Sequence, residues 1–267
     1  MPSITLKAVE EARALKPKRF RFSEYPCVHE REQEQRHVVG LKFPSLKRLF
    51  LAETGISTFD GPYGPFRFLT DPTQIAAALA WQERYKSLIF LRDNLDCSVA
   101  IDFNLASAGI YTIMGQAEHD AKTARKFAAV KALTTACVDT IEKISFYSNA
   151  DAICAVPPAL GKEWDLPTEL AKYVTARTGK ENLSPDIKFS KKKQSVKAVA
   201  LDEKSKALEN ARLKASNAFE GKKIILLDDK YQSGTTAQFV ASRLYDAGAL
   251  EVHGLFCVKT WRDTDNI

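Results

Sequence analysis

The chain has 267 residues, 45% of them hydrophobic, enough to bury one large core or a core plus a smaller companion. The amino end mixes Glu10 and Glu11 with Lys7, Lys16 and Lys18, and no run approaches the ~18 apolar residues of a spanning helix, so a secretory signal and a membrane protein are both set aside and a cytoplasmic protein is expected. The net charge of +6 favours anionic partners, and the five scattered cysteines have neither close pairing nor a His at zinc-ligand spacing, which predicts reduced thiols and no metal cage.

In chain order, residues 1–37 form a charged amino-terminal tail or exposed helix, with Glu30, Arg31, Glu32, Glu34 and Arg36 clustered. Residues 38–112 alternate short apolar runs with turn signals. Val38 to Leu41, the turn-rich Asp60 to Pro65, Leu88 to Leu91 and Val99 to Ile101 read as a small α/β accessory or hood module. Within it, Asp71 caps a helix that has Pro72 in its first turn and runs through Ile75, Leu79 and Trp81.

Residues 113–267 carry the stronger pattern. Phe127, Val130, Leu133, Cys137, Ile141 and Ile144 recur at three or four, predicting one long amphipathic helix from Ala117 to about Phe146. Ala152 to Val156 is a continuous apolar run, as expected of a parallel strand covered on both faces, and Pro157-Pro158 stops it. Asp165 to Thr178 is the next helix, closed by Gly179. A lysine-rich connection follows from Ile187 to Lys206. Then come the buried strand Lys223 to Leu227, a helix carrying Phe239, Val240 and Leu244, and the strand Val252 to Val258. Strands alternating with helices imply an open, mostly parallel twisted sheet with right-handed crossovers.

The chemistry concentrates in Ile224 to Thr236. Four apolar residues end in Asp228-Asp229, and a turn of small polar residues then enters a helix. Side chains at the carboxyl end of a parallel strand face the crevice where such sheets bind ligands. Adjacent carboxylates can accept hydrogen bonds from vicinal ribose hydroxyls and help hold a magnesium ion whose other ligands are substrate oxygens. The turn that follows can aim backbone N–H groups at a phosphate, with Gly234 leaving room for approach and Ser233 and Thr236 adding hydroxyls. A solubilising acid pair beside a plain N-cap would use some of the same residues, but not the whole conjunction.

This stretch resembles the phosphoribosyl pyrophosphate signature of type I phosphoribosyltransferases, and the wider region from about Tyr111 to Trp261 resembles the ComF-type homologues. Supporting pieces are His119-Asp120-Ala121-Lys122, Val156-Pro157, Leu170-Ala171, Gln194 and Ala218-Phe219. The resemblance implies that Asp228 and Asp229 serve as the catalytic and magnesium-supporting acids. It assigns the 5-phosphate to Gln232, Ser233, Gly234, Thr235 and Thr236, and a pyrophosphate loop to Pro158, Gly161 and Lys162. It further implies a mobile-loop role for Lys191, Lys192 and Lys193 and a base contact for Lys259. The chain lacks the cysteine-rich amino-terminal ribbon common in the ComF-type group, and Gln232 stands where purine-salvage enzymes place a base-engaging aspartate, so no general base is named.

Three functions fit these residues. One is transfer of phosphoribose from magnesium-bound phosphoribosyl pyrophosphate to a nitrogen acceptor; another is a nucleotide- or phosphoribose-sensing regulatory module. The third is a ComF-like factor associated with DNA uptake or metabolism, for which nucleic acid would be a partner. Residues 1–112 are the expected surface for a second copy or a protein partner.

Overall fold

The apolar runs from Leu88 onward form the centre of one large sheet, and part of the charged amino-terminal segment joins its edge. A computed structural model describes residues 4–31, 36–191 and 201–262. The amino-terminal part contains α1 (Leu6–Ala14), β1 (Arg19–Phe20), β2 (Val28–Arg31), β3 (Arg36–Gly40), α2 (Pro44–Thr54), β4 (Phe59–Gly61), β5 (Gly64–Leu69) and α3 (Pro72–Tyr85). Next come β6 (Ile89–Leu91), β7 (Cys97–Phe103), the short strands β8 (Leu105–Ser107) and β9 (Ile110–Tyr111), α4 (Ile113–Ala124), α5 (Phe127–Lys143) and α6 (Ser145–Ser148). The carboxyl-terminal part holds β10 (Ala152–Ala155), α7 (Leu166–Thr178), β11 (Glu181–Asn182), β12 (Ile187–Phe189), α8 (Leu201–Asn210), β13 (Leu213–Ala215), β14 (Lys223–Tyr231), α9 (Thr235–Asp246) and β15 (Glu251–Lys259). No described helix is long and apolar enough to cross a membrane.

The main sheet has the order β1-β6-β7-β15-β14-β10-β11. From β7 to β11 every neighbouring pair is parallel, while β6 and β1 add an antiparallel edge. This is a mixed α/β fold whose large, mostly parallel sheet is flanked by helices. Alternation along β14 divides its apolar side chains between two cores: Ile225 and Leu227 pack with α5 and α7 residues, and Ile224 and Leu226 pack with α9 residues.

The capping chemistry behaves as its residues dictate. The Asp71 carboxylate accepts from the Thr73 N–H at 2.7 Å, with Pro72 in the first turn of α3. Asp165 caps α7 in the same way, and Gly179, at φ 69°, ends it in the left-handed conformation that glycine tolerates.

Three expectations are corrected. Residues 1–37 are not simply a tail: Phe20 and Phe22 are buried in the main core, and β1 hydrogen-bonds to β6. The boundary at residue 112 does not separate two bodies, because β7 lies inside the main sheet between β6 and β15. Apart from that sheet stand the antiparallel sheet β2-β3-β5-β4, backed by α2 and α3, and the two-stranded pairs β8-β9 and β12-β13. The long helix is two helices, broken where Arg125 turns left-handed at φ 50° and its N–H bonds back to the Asp120 carbonyl.

Candidate functional site

Strand β14 runs past the apolar residues to Tyr231, so both acids lie within its paired length, and Asp228 is level with Phe256 of β15. Ser233 and Gly234 then turn the chain into α9. The hydroxyls of Ser233 and Thr235 share a hydrogen bond of 3.0 Å, and no side chain caps the helix. Asp228, Asp229 and every residue from Gln232 to Thr236 line one cavity of about 300 Å3, together with Val156 just after β10 and Leu208 from α8. Uncapped N–H groups at a helix start, opening on a concave surface, suit an anion.

Gly234 is required for two reasons. Its φ is 73°, and a Cβ there would lie 2.1 Å from the Tyr231 hydroxyl. The tyrosine ring therefore packs beneath the turn and shapes it, a constraint that comes before any phosphate is bound.

The acids are embedded in a charge network. Lys122 of α4 approaches Asp229 at 2.5 Å and Glu118 at 3.4 Å, and Lys230 reaches Glu118 at 2.9 Å. Glu118 is only 1% exposed and Asp229 only 7%, whereas Asp228 is half-buried and lines the cavity beside Asp229. Burial opposes the charge on Lys122, but Asp229 outweighs it and raises the ammonium above its ordinary pKa. Asp228 differs. Burial, and then the neighbouring Asp229 charge, push its carboxyl well above the usual range, while its Oδ1 accepts from the Asp229 N–H at 2.9 Å. A desolvated carboxylate beside a second one is the environment a divalent cation relieves, and magnesium is commonly held by one or two carboxylates plus substrate oxygens, so these residues fit that ion.

The remaining candidate residues divide. The register Ala155↔Leu227 puts the loop after β10 at the same sheet end as the acids, and the Val156 N–H donates to Leu227 at 2.8 Å. Pro158 is half-buried while Gly161 and Lys162 are exposed, and none of the three lines the cavity. Lys191 is exposed just beyond β12; Lys192, Lys193 and Gln194 lie outside the described residues. Lys259 is not a surface lysine: it is 3% exposed, its Nζ donates to the Thr260 carbonyl at 2.9 Å and hydroxyl at 3.0 Å, and it is outside the cavity lining. Sequence reasoning quoted Lys122 without a role and did not single out Glu118. Their signal was an i,i+4 acid–base pair on α4, which fits any exposed helix face equally well.

No protein-family model matches the chain, and no curated protein matches it. Among solved structures it is similar to one titled the structure of the allosteric regulatory enzyme of purine biosynthesis, at 13% identity and a TM-score of 0.37. That match covers 84% of this chain and 45% of the other, so the chain spans less than half the length of that enzyme.

Proposed function

We propose that the chain is a phosphoribosyltransferase-like protein that binds phosphoribosyl pyrophosphate with magnesium and passes the phosphoribosyl group to a nitrogen acceptor. The observation that supports this reading is the single cavity that combines the acid pair with the entire Gln232 to Thr236 turn. Asp228 and Asp229 accept from the ribose hydroxyls, and the start of α9 with Ser233 and Thr236 takes the 5-phosphate. Asp228 and Asp229 would hold magnesium, which would supply charge neutralisation to the pyrophosphate leaving group. As the anomeric C–O bond to pyrophosphate breaks and the C–N bond forms, the protein's work is to position the reactants and stabilise charge. Lys122 pairs with Asp229 and fixes its orientation, and Glu118 holds Lys122 in place.

A sensing module that binds the same ligand without transfer is the second reading, favoured by the charge of Asp229 being already matched by Lys122. One experiment separates the two. Calorimetry of the parent, of Asp228→Asn with Asp229→Asn, and of Ser233→Ala with Thr236→Ala is run with ribose 5-phosphate and with sulfate. Pyrophosphate release from phosphoribosyl pyrophosphate is followed in parallel over a panel of nitrogen acceptors. The double Asn variant should lose sugar affinity by about 1.5 to 3 kcal/mol per acid yet still bind sulfate, whereas the hydroxyl variant should weaken on both ligands. Parent-like binding by both variants would place the phosphoribose site elsewhere. Binding without pyrophosphate release for any acceptor would favour the sensing module.

A further inference from the structure

A second cavity, of about 700 Å3, lies at the other end of the sheet and shares no lining residue with the first. Arg92, in its wall, follows β6. That strand runs antiparallel to β7, so Arg92 falls beside the amino end of β7, the end opposite Asp228. Four cations line the cavity: Lys16 from the segment after α1, Lys42 from the junction of β3 and α2, Lys47 from α2, and Arg92. The one carboxylate in the lining is Asp60, which is engaged by Lys47 at 2.8 Å. Among the described residues, no carboxylate makes an ion pair with Lys16, Lys42 or Arg92.

The cavity is built rather than incidental. The Arg92 guanidinium donates to the Pro17 carbonyl at 2.9 Å and the Lys42 carbonyl at 2.8 Å, and its carbon lies 4.8 Å from the centre of the Phe43 ring. One side chain thus ties together two of the walls that bring lysines. The hairpin joining β4 to β5 forms the other wall, pinned where the Leu41 N–H donates to Pro65 at 2.7 Å and where Gly64 passes so close that a Cβ would lie 2.4 Å from the Leu41 carbonyl oxygen. At the tip of that hairpin Tyr63 is 89% exposed and also lines the cavity.

We infer that this cavity is a second ligand site that takes a nucleoside polyphosphate, with the phosphates between Lys16, Lys42 and Arg92 and the base against Tyr63. Convergent cations with one satisfied acid select a compact polyanion, because each phosphate oxygen finds a charged donor that no protein carboxylate occupies. The volume lies within the range of small-molecule sites. An aromatic ring at the rim supplies a stacking surface for a base, which free phosphate or pyrophosphate would not use.

The test uses the full chain with ADP, pyrophosphate and adenosine as calorimetric probes and 2-azido-ADP as a photolabel. Lys16 and Lys42 are exposed, so Lys16→Ala with Lys42→Ala should fold like the parent. That variant should bind ADP at this site at least about tenfold more weakly, Tyr63→Ala should weaken ADP but not pyrophosphate, and adenosine should bind poorly throughout. The label should attach within residues 60–65. Label found only within residues 228–236 would report the phosphoribose cavity and overturn this proposal while leaving that one standing. ADP binding unaffected by the lysine substitutions, or no ADP binding by the parent, would also overturn it.

Discussion

At the scale of single residues, the turn from Gln232 to Thr236 rests on a buried pair that the linear pattern does not reveal. Asp93, in the loop between β6 and β7, accepts from the Ser98 hydroxyl at 3.0 Å and the Leu95 N–H at 3.1 Å, and Tyr231 is a further hydrogen-bond partner. The same tyrosine hydroxyl fills the space that a side chain at Gly234 would need. Burial pushes the Asp93 carboxyl up to about 7, against roughly 3.9 for an unfolded aspartate. The folded state therefore holds this proton more tightly than the unfolded state. Asp93 contributes stability that is fully present below about pH 4 and is lost as pH rises through about 7. Asp93→Asn, whose amide oxygen can still accept from Ser98, should remove that loss. Urea unfolding at pH 5 and pH 8 should show the parent losing roughly 2 to 3 kcal/mol more than the variant over this interval. Identical pH slopes would mean that Asp93 ionises freely in the folded protein. Asp228-Asp229 and Gln232 to Thr236 were legible because the site's own residues are contiguous. Asp93, Glu118 and Lys122 were not, because they meet the site from more than 100 residues away along the chain.

At the scale of elements, α4 delivers Lys122 and Glu118, and its position is set by close contact with the end of β7. Thr112 caps the helix by accepting from the Gly115 N–H at 2.9 Å, and the Thr112 hydroxyl donates to the Phe103 carbonyl. A Cβ on Gly115 would lie 1.8 Å from the Asn104 carbonyl oxygen, so the first turn of α4 can sit here only with glycine. Gly115→Ala should lever the helix away from the sheet, costing about 1 to 3 kcal/mol by overpacking and loosening the Lys122 contact with Asp229. Gly40→Ala is the control, since nothing lies within 4 Å of its added methyl. Denaturant midpoints for the two variants decide the matter, and equal stabilities would show that the backbone yields without cost. The break between α4 and α5 escaped sequence reading for a related reason. The three-and-four spacing of apolar residues continues across Arg125, and a single left-handed residue leaves no mark on that spacing. The strands of the parallel core were plainer, because four or more consecutive apolar residues closed by proline or by acids admit few other structures.

At the scale of the whole molecule, the cavity lined by Asp228 and Gly234 depends on strands from both halves of the chain. β15, which flanks β14, is itself flanked by β7, with pairings from His253↔Cys97 to Lys259↔Phe103. Val99 and Ala100 of β7 are fully buried, and they belong to the two different cores. The run Val99 to Ile101 was read as part of a separate module because periodicity reports the faces of a strand and not its neighbours. Pairing between residues about 150 positions apart has no local signature. A fragment of residues 113–267 would therefore leave β15 as a long apolar edge and expose core on both sides of it. It should fail to unfold cooperatively and should not bind ribose 5-phosphate, whereas removing only the first few residues before α1 should leave both properties intact. Thermal unfolding followed by near-ultraviolet circular dichroism, with the full chain as reference, provides the measurement. A cooperative transition and parent-like ligand affinity in the fragment would show that β7 is dispensable, and that the carboxyl-terminal half carries the site on a sheet able to stand without it.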